Sequence, residues 1–376
     1  MSTIAAAKRA SFLELFFDLV FVFAVTQIAR LLHSDHSLEG WISAGFVMWL
    51  VWWAWSQYTW AANAIDIERR PVRVALLAVA GAMLVAAIAI PGALEGTGAW
   101  FAVPYVAVRL GGLALYWVGV RRDAAYRAAL AGYLPGALVG PALVLAGGFA
   151  PEDARPWFLG AAVVADIVSV ILAGRGEFAV SATHFAERHA LFVIIALGES
   201  IIAVGLVASE IGPSAALIAT VLAAFAVTAT LWWAYFDWVH GAAERRLASE
   251  PDPRRRGRLA RDIFTFAHLP IVAGTVVFAV GVEEAVAHPG DPLDSFGRLA
   301  VSLGIGLFLT GFIAGNARTA RALLAERAVA GVAIVGVALF LAGTVDALAT
   351  VIVVAVILVA AVAMENARRR PRMAAH

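Results

Sequence analysis

Six ionisable side chains lie inside long apolar stretches of this sequence: Glu14, Asp18, Arg109, Asp166, Glu199 and Asp237. At the centre of a membrane helix an ionised group costs about 2.5–3.5 kcal/mol on insertion scales, so such residues usually face a protein interior or a cavity. Glu14 and Asp18 are one helical turn apart and share a face at about 6 Å. Like charge and low dielectric both disfavour a second ionisation there, so the spacing predicts a carboxylate pair that shares a proton. Glu14 also has a structural reading, because Ser11-Phe12-Leu13-Glu14 fits a capping box. No cap accounts for Asp18, deeper in the same stretch, which reads as a functional carboxylate or half of a buried ion pair.

Glu199 lies about 18 Å beyond Glu187 along one helix. It sits in a small polar notch between Gly198 and Ser200. Buried Arg109 requires a carboxylate partner, and Asp166 and Glu199 are the two candidates. One of them is then left to titrate, with Glu199 expected as the proton or cation site. Arg109 is expected to be a counter-ion or anion ligand. Asp237, His189, His240 and His268 fall at similar depth near one end of their stretches, as groups on a proton entry path would. Individually each histidine reads first as an interfacial or satisfied core residue.

Trp49, Trp52, Trp53 and Ser56 share a helical face. That face suits either a cationic or flat organic ligand or plain helix packing. Gly132, Pro135, Gly136, Gly140 and Pro141 crowd one stretch, and its two prolines predict a broken helix of the kind that lines cavities. The sequence has no cysteine, which excludes thiolate metal sites, iron–sulfur clusters and thiol catalysis. The single lysine, Lys8, precedes the first apolar stretch and excludes a Schiff base within a membrane helix. His33 and His36 flank Asp35 without a third anchored ligand. No metal site, cofactor or catalytic nucleophile set is expected.

The elements that must position these groups are membrane helices. Hydrophobic residues make up 62% of the 376 and charged residues 15%, against roughly 45–50% and 25% in soluble chains. An all-α polytopic membrane protein follows, with about twelve transmembrane helices. The apolar stretches lie near 11–32, 41–62, 72–92, 99–119, 126–148, 157–174, 186–208, 213–240, 262–282, 296–316, 326–344 and 346–364. Both termini and every second loop hold 24 of the 28 basic residues, Arg188 among them, whereas acids divide evenly between the two sides. Basic residues stay cytoplasmic, so both termini are expected inside a bacterial cytoplasmic membrane. The Arg-rich segment 244–262 reads as a topology signal against anionic lipid, and no nucleic acid is expected.

Trp52-Trp53-Ala54-Trp55 followed by Glu68-Arg69-Arg70 parallels Trp232-Trp233-Ala234-Tyr235 followed by Glu244-Arg245-Arg246. Two six-helix pseudo-repeats in parallel orientation are predicted, 1–180 and 181–376, a plan that recurs among transporters. In that alignment Glu199 falls opposite Thr26, and Ser200 opposite Gln27.

Glu14-Leu15-Phe16-Phe17-Asp18-Leu19-Val20-Phe21-Val22-Phe23 with Thr26-Gln27 resembles the opening signature of the bacterial low temperature requirement protein A family. Glu187-Arg188-His189-Ala190-Leu191-Phe192 with Leu197-Gly198-Glu199-Ser200 resembles its second signature. The resemblance implies a polytopic bacterial membrane protein and supplies no substrate or chemistry. It adds Glu187, Arg188, His189, Ser200 and Gln27, and the tryptophan face adds Trp53, to Arg109 as candidate substrate or counter-ion residues. The expected function is a secondary transporter or ion-conducting protein, proton-coupled through Glu14, Asp18, Asp166, Glu199 and Asp237 and acting on a small solute or ion. The alternatives are a membrane enzyme acting on lipid and a non-transporting sensor or assembly factor. An oligomer is compatible with the sequence.

Overall fold

Each expected span overlaps helix in the computed structural model, which describes residues 9–173, 176–319, 325–340 and 342–373; positions 174 and 341 of two expected spans lie outside the described residues. Lys8 lies outside the described residues. Among them the regular structure is helical, apart from an isolated bridge between Pro292 and Asp346. The order is α1 (Phe12–Ser34), α2 (Leu38–Ala64), α3 (Arg70–Ile88), α4 (Gly98–Val120), α5 (Ala124–Phe149), α6 (Arg155–Ala173) and α7 (Ala182–Ile211). Then come α8 (Ala215–Ala234), a π turn over Tyr235–Val239, α9 (His240–Ala248), α10 (Pro253–Ala260) and a second π turn over Arg261–Phe266. The chain ends with α11 (His268–Ala287), α12 (Ser295–Thr319), α13 (Ala325–Phe340) and α14 (Ala347–Met373).

Local chemistry starts and stops these helices. Ser11 and Glu14 form the capping box of α1 in full. Asp123 accepts from the amides of Ala125 and Tyr126 to open α5, and Ser214 accepts from Leu217 to open α8. Such caps satisfy amides that have no partner within the helix. Gly212, with φ +87°, ends α7 in a conformation that side chains with a Cβ avoid.

Among the described residues ten stretches are long and apolar enough to cross a membrane, with α8–α9 and α10–α11 each running as one. α2 and α13 fall outside that set. α13 is only 16 residues long. α2 has the length, at 27 residues, but carries Ser43, Ser56, Gln57, Thr59 and Asn63 on buried positions. Its surroundings are protein, against α1, α4 and α6, so it has no need of a lipid-facing surface.

The chain divides into two compact units, residues 1–192 with 244–265, and residues 193–243 with 266–376. In the first, α1 packs on α2 and α3, α4 on α2, α3 and α5, and α6 on α5 and α2. In the second, α11 packs along α12, and α14 on α8, α11 and α13. The α11–α12 approach needs glycine: a Cβ on Gly274 would lie 2.5 Å from the Gly304 carbonyl, and one on Gly304 would meet the Phe278 backbone. Small residues at helix contacts let backbones approach closely enough for dispersion to hold them where lipid gives no hydrophobic drive.

The expected break in α5 is overturned. The helix runs unbroken from Ala124 to Phe149 with Pro135 and Pro141 inside it. Its glycines serve packing instead: a Cβ on Gly136 would lie 2.8 Å from that of Ser169, and one on Gly140 would lie 2.7 Å from Asp166 Oδ1. Close contact with α6 holds the helix despite the missing amides, a tolerance common in membrane helices.

Replacing Gly304 by Ala should destabilise the protein by about 1–3 kcal/mol through overpacking. Gly81→Ala, where nothing lies within 4 Å of a new Cβ, should leave the melting temperature in detergent unchanged or slightly raised. Equal melting temperatures for the two variants would refute tight α11–α12 packing.

Candidate functional site

The capping box that starts α1 also orients its first acid. Glu14 Oε2 accepts from the Ser11 amide at 2.9 Å, which turns Oε1 toward α7. There it meets His184 Nε2 at 2.9 Å and Arg188 Nη1 at 3.1 Å. One turn further along α1, Asp18 Oδ1 accepts from Arg188 Nη2 at 2.6 Å and from the Trp55 indole at 2.7 Å. The Arg188 guanidinium also stands 5.7 Å from the Trp55 ring, a cation–π distance. Two turn-spaced acids on α1 therefore face a turn-spaced histidine and arginine on α7. All four side chains are buried, none more than 3% exposed.

Two expectations change here. Glu14 and Asp18 do not stand as a bare carboxylate pair, since Arg188 holds one oxygen of each. Arg188 is not a loop charge either: α7 starts at Ala182, so the residue lies inside the helix, 1% exposed. Charge counting then sets the chemistry. Two carboxylates and one guanidinium leave the cluster with one negative charge in excess while His184 is uncharged, and one proton on the cluster removes that charge. Asp18 Oδ2 and Arg188 Nε are both buried without a hydrogen-bond partner, so the network has spare capacity on each side of its ion pair.

The second buried ion pair is closed. Arg109 Nη1 and Nη2 bond Asp166 Oδ2 and Oδ1 at 3.0 and 2.9 Å, a bidentate fork. Nε donates to Gln57 Oε1 at 2.8 Å, and Nη1 also donates to the Tyr105 hydroxyl at 3.0 Å. Gln57 Nε2 returns a bond to the Arg109 carbonyl at 2.8 Å, and Tyr105 donates to the Leu50 carbonyl at 3.1 Å. The planar guanidinium has five donors in a fixed fork, and protein oxygens here engage four. Arg109 is thus committed to Asp166, the first of its two expected partners, and serves as a structural counter-ion across α2, α4 and α6.

The remaining candidates scatter. His189 is fully buried, its Nδ1 2.7 Å from the Phe185 carbonyl and its ring packed against Trp52, Trp55 and Phe264. It is an aromatic-core histidine. Half-buried Glu187 ties down the chain before α1 by accepting from the Ala10 amide at 2.9 Å. Gln27 is buried, with Oε1 accepting from Arg30 and Nε2 unpartnered. Trp53 is 4% exposed and stacks on Trp49 at 5.3 Å. Trp52 donates to the Thr265 carbonyl at 2.8 Å, and Ser56 Oγ lies 3.2 Å from Thr265 Oγ1, so most of that tryptophan face serves helix packing.

In the second unit Glu199 is half-buried, and buried Ser200 bonds back to the Ala196 carbonyl. Asp237 is exposed rather than buried. Tyr235 in the same π turn faces inward, with its hydroxyl 2.8 Å from His268 Nε2, and two residues on the chain has turned outward. Among the described residues no group of three or more metal-ligating His, Cys, Asp or Glu side chains gathers.

Sequence reasoning missed His184, Trp55 and Gln57. A signal was present for the first: His184 and Arg188 repeat on α7 the four-residue spacing of Glu14 and Asp18 on α1. Trp55 and Gln57 had none, since their partners come from distant helices.

Long apolar helices enclosing compensated buried charges define a polytopic α-helical membrane protein. The chain belongs to the family described as bacterial low temperature requirement A protein, whose match covers residues 9–363. It is 33% identical over 291 residues to a protein of Rhizobium meliloti (strain 1021) described as uncharacterized, covering 75% of this chain and 70% of that one. No solved structure matches it.

Asp166→Ala should lower stability by about 3–5 kcal/mol, because it leaves the Arg109 charge buried and unanswered. The double variant Arg109→Met/Asp166→Leu should recover most of that loss in detergent melts. A double variant as unstable as Asp166→Ala would contradict a purely structural pair.

Proposed function

We propose that this chain is a proton-coupled secondary transporter or ion-conducting protein whose proton is held by the Glu14–Asp18–Arg188–His184 cluster. The observation that carries this reading is the odd charge count of a sealed cluster. A structural ion pair such as Arg109–Asp166 balances one charge against one. Two acids against one arginine and a histidine need a proton to balance, and histidine exchanges protons near neutral pH. Burial makes each protonation state energetically distinct, so binding or losing that proton changes the hydrogen bonds between α1, α2 and α7. Such a change is what a carrier needs to link proton movement to a conformational step.

The setting proposed with it is a bacterial inner membrane, crossed about twelve times with both termini inside. The segregation of 24 of 28 basic residues to one set of loops and the termini supports that orientation. The short internal matches around Trp52 and Trp232 support two parallel halves, and Glu199 remains a candidate second proton site in the later half. Single cysteines placed at Ser37 and Thr97 should react with a membrane-impermeant maleimide on intact cells. Cysteines at Asp66 and Asp123 should not, and the opposite labelling pattern would invert the topology.

Purified protein reconstituted into liposomes with an internal pH dye tests the proton site. Under an imposed membrane potential the wild type should move protons. Asp18→Asn and Glu14→Gln should each reduce the rate at least about tenfold, as expected for loss of a proton-transfer group. His184→Gln, which keeps a hydrogen-bonding side chain, should shift the pH dependence. Melting temperatures identify any variant that has merely unfolded. Wild-type rates in both acid variants, or a wild type that moves no protons, would reject the assignment.

A further inference from the structure

The first unit contains a cavity of about 70 Å³ among residues that the acid cluster does not use. A single water needs roughly 10–15 Å³, so the space suits a small organic molecule better than a lone ion. Its walls are predominantly apolar and include Trp53, Trp60, Tyr116, Tyr133 and Phe178. Two of the polar tips are engaged with protein: Trp60 Nε1 donates to Thr265 Oγ1 at 3.1 Å, and the Tyr133 hydroxyl meets Ser169 and Trp53. Phe178 packs edge-on against Trp60 at 5.9 Å. The ring faces offer carbon surface to whatever occupies the space.

An aromatic box would ordinarily favour a cation. The charges lining this one decide otherwise, because among the described residues Arg258 and Arg261 are its ionisable charged groups and no acid lines it. Two guanidiniums repel an ammonium and match a carboxylate. Asp262 holds Arg261 through Nε and Nη2 at 2.8 and 2.7 Å, and Glu177 holds Arg254 at 3.2 Å, but neither acid is part of the lining. Gln57 also borders the cavity and holds both the side chain and the carbonyl of Arg109, so an occupant would touch the residue that braces the second ion pair.

We propose that this cavity is a binding site for a small planar organic anion, an aromatic carboxylate in chemical class, with its ring among the tryptophan and tyrosine walls and its carboxylate toward Arg258 and Arg261. The site is independent of the proton cluster and is tested by equilibrium binding, which needs no proton flux. Isothermal titration of the full chain in detergent would use benzoate, with benzyl alcohol and benzylammonium as neutral and cationic probes carrying the same ring. Benzoate should bind, the alcohol should be at least about tenfold weaker, and the ammonium should not compete. Arg258 is exposed, so Arg258→Gln/Arg261→Gln should fold and should weaken benzoate about tenfold or more, as expected for loss of charge-assisted bonds. Arg254→Gln, outside the lining, should bind as the wild type does. No benzoate binding, equal affinity for the alcohol, or an arginine double variant that binds benzoate normally would overturn the proposal.

Discussion

A charge removed from water inside a helical bundle must be answered by opposite charge and directed hydrogen bonds, and the first unit is organised around two places where this happens. Desolvating an ion costs several kcal/mol, and the mutual attraction of a pair repays that only with good geometry. Arg109 and Asp166 meet the requirement by saturation: a two-pronged bond, an amide from α2 and a phenol from its own helix. Glu14, Asp18, Arg188 and His184 meet it by sharing, with one arginine between two acids and a histidine on the far side. The same physical demand therefore yields a pair balanced one to one in one case and a cluster of two acids around one arginine in the other. Stoichiometry separates them, since burial does not.

That demand also explains the composition of α2. A helix surrounded by protein gains nothing from aliphatic side chains that a tryptophan or glutamine cannot supply, and it gains donors. Trp55 serves Asp18, Gln57 serves Arg109, and Trp52, Ser56 and Trp60 meet the carbonyl or hydroxyl of Thr265 at the end of the second π turn. Buried Trp and amide side chains normally find such partners. The cluster of six tryptophans between Trp41 and Trp60 reflects this internal position more than an interfacial belt.

Helix positions were legible in the sequence because apolar length and terminal caps are local: Ser11-x-x-Glu14 marks the start of α1. The Arg109–Asp166 pair was legible as one of two options, because a buried arginine compels a carboxylate partner. Three features depended on tertiary packing and were not. Arg188 stands beside Glu187 at the edge of its expected stretch and counts with the loop charges until α7 is seen to begin at Ala182. Asp237 reads as buried by its neighbours, yet the π turn that carries Tyr235 inward leaves it outside. Pro135 and Pro141 read as breaks, and only the close approach of α6 at Gly136 and Gly140 shows why α5 continues.

The directional bonds on α2 have a further consequence for uniqueness. In lipid, helix association lacks a hydrophobic drive, and smooth apolar faces can slide past one another at little cost. Trp55 and Gln57 are two residues apart, roughly opposite on a helix with 3.6 residues per turn, so they point to different neighbours. A slip of α2 by one residue would rotate it by about 100° and would take Trp55 from Asp18, Gln57 from Arg109 and Trp52 from Thr265 at once. Each loss would leave a buried polar group unanswered, at about 1–3 kcal/mol or more for charged groups. The polar residues that lower the apolar character of α2 are thus the ones that fix its register, and through it the placement of both ion clusters.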